Sequence, residues 1–129
     1  MATSGPYRTR QDLVTEALAN LGVLSAGQAT DTEDYNYVDE KLDAIVRKLA
    51  VLDIVRVPDI NNIRAEFFVD LADIVAGECA TKFGQTPQDR DALEKKGLGN
   101  PPGSGSAAMS LKQMTRGRYT GETLPVEYF

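Results

Sequence analysis

Apolar residues recur at helical spacing in the first part of the chain. Thr9 and Asp12 have the spacing of a helix-capping pair, in which each side chain bonds the other residue's backbone N–H. Gly22 can adopt the left-handed conformation that ends a helix. The pattern predicts a first helix between Thr9 and Gly22, and its apolar stripe contains Leu13, Val14, Ala17, Leu18 and Leu21.

A second helix is predicted between Thr30 and about Asp53. Thr30 and Glu33 form a capping box at its start. Its apolar positions then alternate three and four residues apart: Tyr35, Val38, Leu42, Ile45, Leu49 and Leu52. Tyr35 is in phase with this stripe and Tyr37 is not, so we expect Tyr37 to be the exposed member of the pair.

The third helix is predicted to be the central element of the fold. Pro58 forbids a helix that continues through it, so residues 54–57 are expected to form an extended connector. Apolar residues then recur at helical spacing from about Asp59 to Phe83, and Gly84 ends the helix. Small residues along one side allow another helix to approach closely: Ala72, Ala76, Gly77 and Ala80.

The last third of the chain has a different character. Thr86 and Pro87 are typical of a helix start and predict a short fourth helix that ends near Lys96. Residues 97–106 are mostly glycine, proline and serine, which favours a flexible connection. A short helical stretch is predicted next, over residues 107–115.

Residues 116–129 are predicted to be an extended arm, because apolar and polar side chains alternate in the terminal sequence TLPVEYF. Pro125 would confine such a strand to a sheet edge or to isolated docking. The sequence therefore predicts an all-α protein, a small bundle of four to five helices with an extended C-terminal tail. We expect a helical bundle domain in residues 1–96, a loop in residues 97–106, and a short helix with the arm in residues 107–129.

Composition and charge narrow the class of protein. The 129 residues fit one domain, and no apolar run approaches the ~20 residues needed to cross a bilayer, so no membrane association is expected. The N-terminus lacks the apolar region of a secretory signal, so synthesis in a cytoplasm is the default expectation. The net charge of −5 argues against general affinity for nucleic acid. Residues 107–129 differ, with three basic and two acidic side chains.

The sequence gives little support for catalysis. It has no histidine, no nucleophile elbow and no phosphate-binding glycine loop, so we predict no enzyme activity, no cofactor and no metal. Glu66, Asp70 and Asp73 share one face of the third helix and could bind a hard cation or exchange protons, but a solvated or interface-lining face is the favoured interpretation. Glu78 is the one candidate for glycoside hydrolysis. Cys79 is interpreted as a small buried apolar residue.

The hydrophobic C-terminus needs a covering surface, since terminal residues are usually polar. That surface could belong to the chain's own core, to a second copy or to a different protein. Arg116 and Arg118 beside Tyr119 could contact nucleic acid, but paired hydrogen bonds to acidic groups of a protein partner are the favoured interpretation. The predicted partner-binding residues are Arg116, Arg118, Tyr119, Leu124, Val126, Tyr128 and Phe129.

Three stretches resemble the head-to-tail adaptor proteins of tailed bacteriophages, and most closely the head-completion or tail accessory factors of short-tailed phages. They are TRQDLVTEALANLGVLSAG, LADIVAGECATKFG and the final PVEYF. The resemblance covers about residues 8–84 and the last five residues. The glycine-rich segment at residues 97–106 departs from the family, in which a continuous further helix is expected.

The resemblance implies a structural protein that docks on the portal ring after DNA packaging and connects the head to the tail. The implied partners are the portal protein, other copies of the chain in a ring of twelve, and a downstream tail or nozzle protein. Such a ring surrounds the genomic DNA without sequence-specific binding, and its place is the head–tail junction of the virion. The alternatives are a DNA-binding or packaging accessory protein that uses the basic C-terminal segment, and a cell-wall hydrolase.

Overall fold

The chain folds as an all-α bundle, which confirms the predicted fold class. A computed structural model describes the backbone of residues 7–23 and 32–123, and the side chains of these ranges as far as Thr115. Within these ranges the elements, in chain order, are β1 (Tyr7–Arg8), α1 (Arg10–Asn20), α2 (Thr32–Val51), β2 (Ile63–Arg64), α3 (Ala65–Cys79), a 3-10 helix (Ala80–Phe83), α4 (Pro87–Lys96) and α5 (Ser106–Thr123).

Helix α1 has the predicted boundaries. The Thr9 hydroxyl accepts a hydrogen bond from the Asp12 N–H at 3.1 Å, and the Asp12 carboxylate accepts one from the Thr9 N–H at 3.1 Å. At the other end Gly22 has a φ of 81°, and the Val23 N–H reaches back to the Leu18 carbonyl at 3.2 Å. The whole predicted stripe is buried: Leu13, Val14, Ala17, Leu18 and Leu21.

Helix α2 buries Val38, Leu42, Ile45 and Leu49 of the predicted stripe, but it ends two residues early and leaves Leu52 38% exposed. Asp53 takes a left-handed conformation with a φ of 60°, and the Ile54 N–H closes the helix end on the Leu49 carbonyl at 2.9 Å. The start predicted at Thr30 lies outside the described residues. Tyr37 is half-buried against Phe83, with ring centroids 5.9 Å apart. The expectation of an exposed Tyr37 was therefore wrong, because a tertiary contact covers its ring.

Helix α3 is the central element, and it contacts each of the other α-helices. It begins at Ala65 rather than near Asp59, because the preceding residues pair with the N-terminal segment instead of coiling. Ile63 and Arg64 form a two-residue antiparallel ladder with β1, in which Tyr7 lies opposite Arg64. The spacing of Ile60 and Ile63 fits a helix as well as it fits a turn and a strand, and this ambiguity explains the error.

The close approach predicted from small residues is present between α3 and α4. Ala72, Ala76 and Ala80 are buried, and a Cβ atom added at Gly77 would lie 3.0 Å from the Leu93 carbonyl oxygen of α4. Helix α4 itself starts as predicted, with the Thr86 hydroxyl accepting a hydrogen bond from the Asp89 N–H at 3.1 Å. No residue of α4 is fully buried, and α4 contacts the bundle through this backbone approach and through the half-buried Leu93 side chain.

Residues 97–105 form a packed loop, and the prediction of a flexible connection was wrong. Leu98 is only 2% exposed, and its carbonyl accepts hydrogen bonds from the Gly103 and Gly105 N–H groups at 2.8 and 3.0 Å. A Cβ atom at Gly97 would lie 2.8 Å from the Asp73 carbonyl oxygen. The glycines allow this contact because they remove the side chains that would keep the backbones apart.

Helix α5 begins near the predicted position but is much longer than residues 107–115. It continues to Thr123, so residues 116–123 are helical, and an extended arm starting at residue 116 was wrong. Ala107, Ala108 and Leu111 are at most 2% exposed, which anchors the first turns of α5 in the bundle core.

Candidate interaction surfaces

The predicted partner-binding residues all follow the anchored part of α5. Arg116, Arg118 and Tyr119 belong to the α5 backbone beyond Leu111. The remaining four lie outside the described residues: Leu124, Val126, Tyr128 and Phe129. Their assignment to partner binding therefore stays a prediction. Met114 packs against the core, while Met109 is 47% exposed on the same helix.

Asp73 is the most enclosed carboxylate of the face predicted on α3. Its side chain is 11% exposed, and its Oδ1 atom accepts a hydrogen bond from the Asn20 amide at 3.2 Å and lies 3.8 Å from the Lys96 ammonium. Burial raises the pKa of Asp73, and the negative charges of Asp70 and Glu16 raise it further, against the opposing effect of Lys96. Asp73 therefore joins the C-terminal ends of α1 and α4 to α3.

The acidic face of α3 does not form a cation site. Glu66 pairs with Arg64 at 2.6 Å instead of turning toward Asp73. Within the described ranges, no three carboxylate, cysteine or histidine side chains come together in a metal-binding arrangement. Sequence analysis missed Asn20, Glu16 and Lys96 as neighbours of Asp73, since they come from helices whose packing is not encoded in local spacing.

Glu78 and Cys79 have structural explanations. The Glu78 carboxylate lies 3.1 Å from the Lys48 ammonium of α2, so it joins two helices at the bundle surface. The Cys79 thiol is 1% exposed, and burial, with a smaller effect of the Glu78 charge, raises its pKa to about 11. A thiol with this pKa is protonated near neutral pH and is a poor nucleophile. Its interpretation as a buried apolar residue is confirmed.

Arg10 connects α1 to α2 through two carboxylates. Its Nε atom lies 2.6 Å from Asp39, one terminal nitrogen lies 2.9 Å from Asp43, and the other donates to the Asp39 carbonyl at 2.8 Å. The hydrogen bond and the positive charge of Arg10 hold the pKa of Asp43 below its usual value. The planar guanidinium satisfies three acceptors at once, which fixes the relative position of the two helices.

Two lysines lie against the ring of Tyr37, on the side of the bundle formed by α2 and the 3-10 helix. The Nζ atoms of Lys41 and Lys82 are 5.4 and 5.5 Å from the ring centroid. Neither lysine forms an ion pair with a residue in the part of the chain that the structure describes. We call Tyr37, Lys41 and Lys82 the lysine–tyrosine patch. The four-residue spacing of Tyr37 and Lys41 is visible in the sequence, but Lys82 joins them only through folding.

An open cleft of about 300 Å³ lies between the 3-10 helix and α4. Gly77 and Ala80 line it on the bundle side, and Arg90, Asp91 and Glu94 line it on the α4 side. Charges of both signs along an open cleft suit contact with another polar surface better than enclosure of a small ligand.

Comparisons of the chain with protein-family models, curated proteins and solved structures give no match. Within the described ranges, no helix combines the length and the apolar character needed to span a bilayer.

Proposed function

We propose that the chain is a non-enzymatic structural adaptor of a tailed bacteriophage, which docks on the portal ring after DNA packaging and joins the head to the tail. The observation that carries the proposal is the arrangement of α5. Its first turns are seated in the bundle core, and the helix then continues to Thr123, directly before a hydrophobic terminal sequence.

The seating of α5 supports contact with a second protein. Ala107, Ala108 and Leu111 fix the start of the helix, so the terminal sequence is attached to a rigid base. Burying a large apolar side chain contributes roughly 1.5 to 3 kcal/mol. Leu124, Val126, Tyr128 and Phe129 together could therefore offset the ordering of a short segment on a partner, and repetition around a ring would strengthen the contact through effective concentration.

The charge of the chain supports a place around DNA. The chain as a whole has a net charge of −5 and repels phosphate, so a genome could slide past it without adhering. In this proposal the virion's head–tail junction is the working location, and the partners are the portal protein, further copies of the chain in a ring of twelve, and a tail or nozzle protein.

The test uses the portal ring encoded in the same genome, mixed with the full chain and with a variant in which Leu124, Val126, Tyr128 and Phe129 are all replaced by serine. Sedimentation of the mixture measures binding. We expect the full chain to sediment with the ring and the variant to remain free. Val51→Ser is the matched control, because Val51 is an apolar side chain that is 84% exposed elsewhere on the bundle. Equal binding by the tail variant would contradict the proposed role of the tail.

The second candidate function is a DNA-binding or packaging accessory protein, favoured by Arg116 and Arg118 in a segment poor in acidic residues. A titration of the chain with duplex DNA at increasing salt separates it from the adaptor. Neutralised phosphates give an affinity that falls steeply with salt. Weak binding with little salt dependence supports the adaptor, whereas a steep dependence that is lost in the Arg116→Ala and Arg118→Ala double variant supports the accessory protein.

A cell-wall hydrolase is the least supported candidate. Its only named residue, Glu78, is held by Lys48 at 3.1 Å. The test compares the rate of peptidoglycan digestion by the native chain and by Glu78→Gln. A rate that falls in the variant would support the hydrolase.

A further inference from the structure

Helix α4 is held on the bundle by few side chains. Leu93 is half-buried, and every other side chain of the helix is exposed. In the described part of the chain, the one ion pair between α4 and the bundle joins Lys96 to Asp73 at 3.8 Å, and the Lys96 side chain is 65% exposed. A pair this long and this exposed contributes little to stability. Opening of α4 would therefore expose little apolar surface to water.

The close contact between α3 and α4 is made by backbone atoms. A Cβ atom added at Gly77 would lie 3.0 Å from the Leu93 carbonyl oxygen, and one turn earlier on α3 the Asp73 carbonyl lies against Gly97, the residue after α4. The two helices therefore run antiparallel. The first half of α4 is separated from the 3-10 helix by the open cleft of about 300 Å³. The close contact thus lies in the second half of α4, at Gly77.

The residues on either side of α4 are fixed to the bundle by contacts of their own. Before the helix, the Gln85 amide donates a hydrogen bond to the Leu21 carbonyl at the end of α1 at 2.7 Å. After it, the Ala108 N–H donates to the Gly97 carbonyl at 3.2 Å, and Leu98 is only 2% exposed. These contacts do not involve α4, so the helix can open between two fixed points. A helix of ten residues is too short to be stable alone in water.

We propose that α4 is a movable cover, which opens while the other helices stay folded, and that the backbone contact at Gly77 holds it closed. In the open state Gly77 and Ala80, which line the cleft, would be uncovered along α3. Local openings of this kind have free energies well below that of global unfolding. The adaptor function does not require this motion, so the two proposals stand separately.

Amide hydrogen exchange, followed residue by residue by NMR, tests the opening. When opening and closing are fast, the exchange rate of an amide measures the population of its open state. We expect the α4 amides to exchange at least ~100-fold faster than those of Leu71 and Ile74 in α3, after correction for intrinsic rates. Equal protection in the two helices would contradict the proposal.

Leu42→Ala separates local opening from global unfolding. Leu42 is 0% exposed on α2, whereas α4 packs mainly against α3, the 3-10 helix and α5. The truncation should raise the globally unfolded population on the order of 100-fold, and the exchange rates of Leu71 and Ile74 should rise by the same factor. The α4 rates should change less than ~2-fold, because their opening is local. A parallel rise in α4 would mean that it opens only with the bundle, which would overturn the inference.

Gly77→Leu tests the contact that holds α4 closed. Leucine favours helix, so α3 should stay folded, but its side chain would need the space that the Leu93 backbone occupies. We expect the α4 amides to exchange at least ~10-fold faster than in the native chain, with the α3 amides still protected. Ala44→Leu, at an exposed position of α2, is the matched control and should leave both unchanged. Loss of protection throughout the bundle, or no change in α4, would contradict the role of Gly77.

These measurements use the free chain without a portal ring. Fast local exchange in α4 without portal binding would keep the movable helix and remove the adaptor function. Portal binding by a chain whose α4 is as protected as α3 would do the reverse.

Discussion

The α1–α2 pair and the loop of residues 97–105 pack against the same core, the first through side chains and the second through backbone atoms. Helices α1 and α2 present regular apolar stripes and are joined by the Arg10 guanidinium, so side chains determine their positions. The loop reaches the backbone of α3 because its glycines have no side chains. The two regions therefore differ in what a substitution would do to them.

Gly105→Ala should have the largest effect, because an added Cβ would overlap backbone atoms of Gly97 and Gly99 that cannot rotate away. We expect a loss of about 4 kcal/mol or more in the free energy of unfolding, measured by urea denaturation. Gly84→Ala is the matched control. Gly84 has a φ of 70° but open space around it, so only the conformational cost of about 1 kcal/mol should appear. Equal losses would mean that the loop is not packed as described.

Leu111→Ala tests whether the start of α5 is held in the core by side-chain packing, as α1 and α2 are. Leu111 is 0% exposed, so the truncation leaves a cavity and should lower the free energy of unfolding by about 3 kcal/mol. Met109→Ala, two residues earlier on the same helix, should change it by less than about 0.5 kcal/mol, since Met109 is 47% exposed. A small effect at both positions would show that α5 does not belong to the core.

Arg10→Lys tests the side-chain connection between α1 and α2. A lysine ammonium cannot bond both Asp39 and Asp43 with the same geometry, so we expect a loss in the free energy of unfolding that is smaller than that of Leu111→Ala. The difference from the native chain should be complete above the ordinary aspartate pKa of 3.8 and shrink below it, because the folded pKa of Asp43 is lowered. Denaturation curves from pH 3 to 7 measure this, and a pH-independent difference would contradict the role of Asp43.

Asp73→Asn should have the smallest effect, and in the stabilising direction. The pKa of Asp73 is raised by burial, so the ionised form is disfavoured in the folded state, and native stability falls as pH rises from 3.8 through the raised value. The neutral amide keeps an acceptor for Asn20 and should be more stable near pH 7 by less than about 1 kcal/mol, since solvent screens the charge. No gain should remain at pH 3, and a loss at pH 7 would mean that the Lys96 contact dominates.

The sequence predicted the helices whose boundaries depend on local chemistry. The Thr9 and Thr86 caps and the Gly22 and Gly84 ends are set by neighbouring residues, and all four are present. The errors have tertiary causes. Ile63 pairs with a strand more than 50 residues away, and Tyr37 is covered by Phe83 from another helix. A glycine-rich segment is flexible when nothing packs against it, but it also allows two backbones to come into contact. Which of these occurs depends on the rest of the fold.

Less of the candidate surfaces could be predicted. The helical spacing of Asp70 and Asp73 placed them on α3, but Glu16 joins them from α1 through packing. The sequence analysis did not identify the lysine–tyrosine patch: the four-residue spacing of Tyr37 and Lys41 was available as a signal, but Lys82 joins them from the 3-10 helix only through folding. The partner-binding role of Arg116, Arg118 and Tyr119 remains a prediction.

Helix α5 extends far beyond its buried first turns, so a small rotation at its start produces a large displacement at its other end. Thr123 lies twelve residues after Leu111, and at about 1.5 Å per residue the helix spans ~18 Å between them. A tilt of about 10° at Leu111 would displace Thr123 by ~3 Å, close to the width of an atom. The glycine contacts at the start of α5 therefore determine the direction of the helix. A substitution in the loop could change the position of Thr123 although no residue of α5 is replaced.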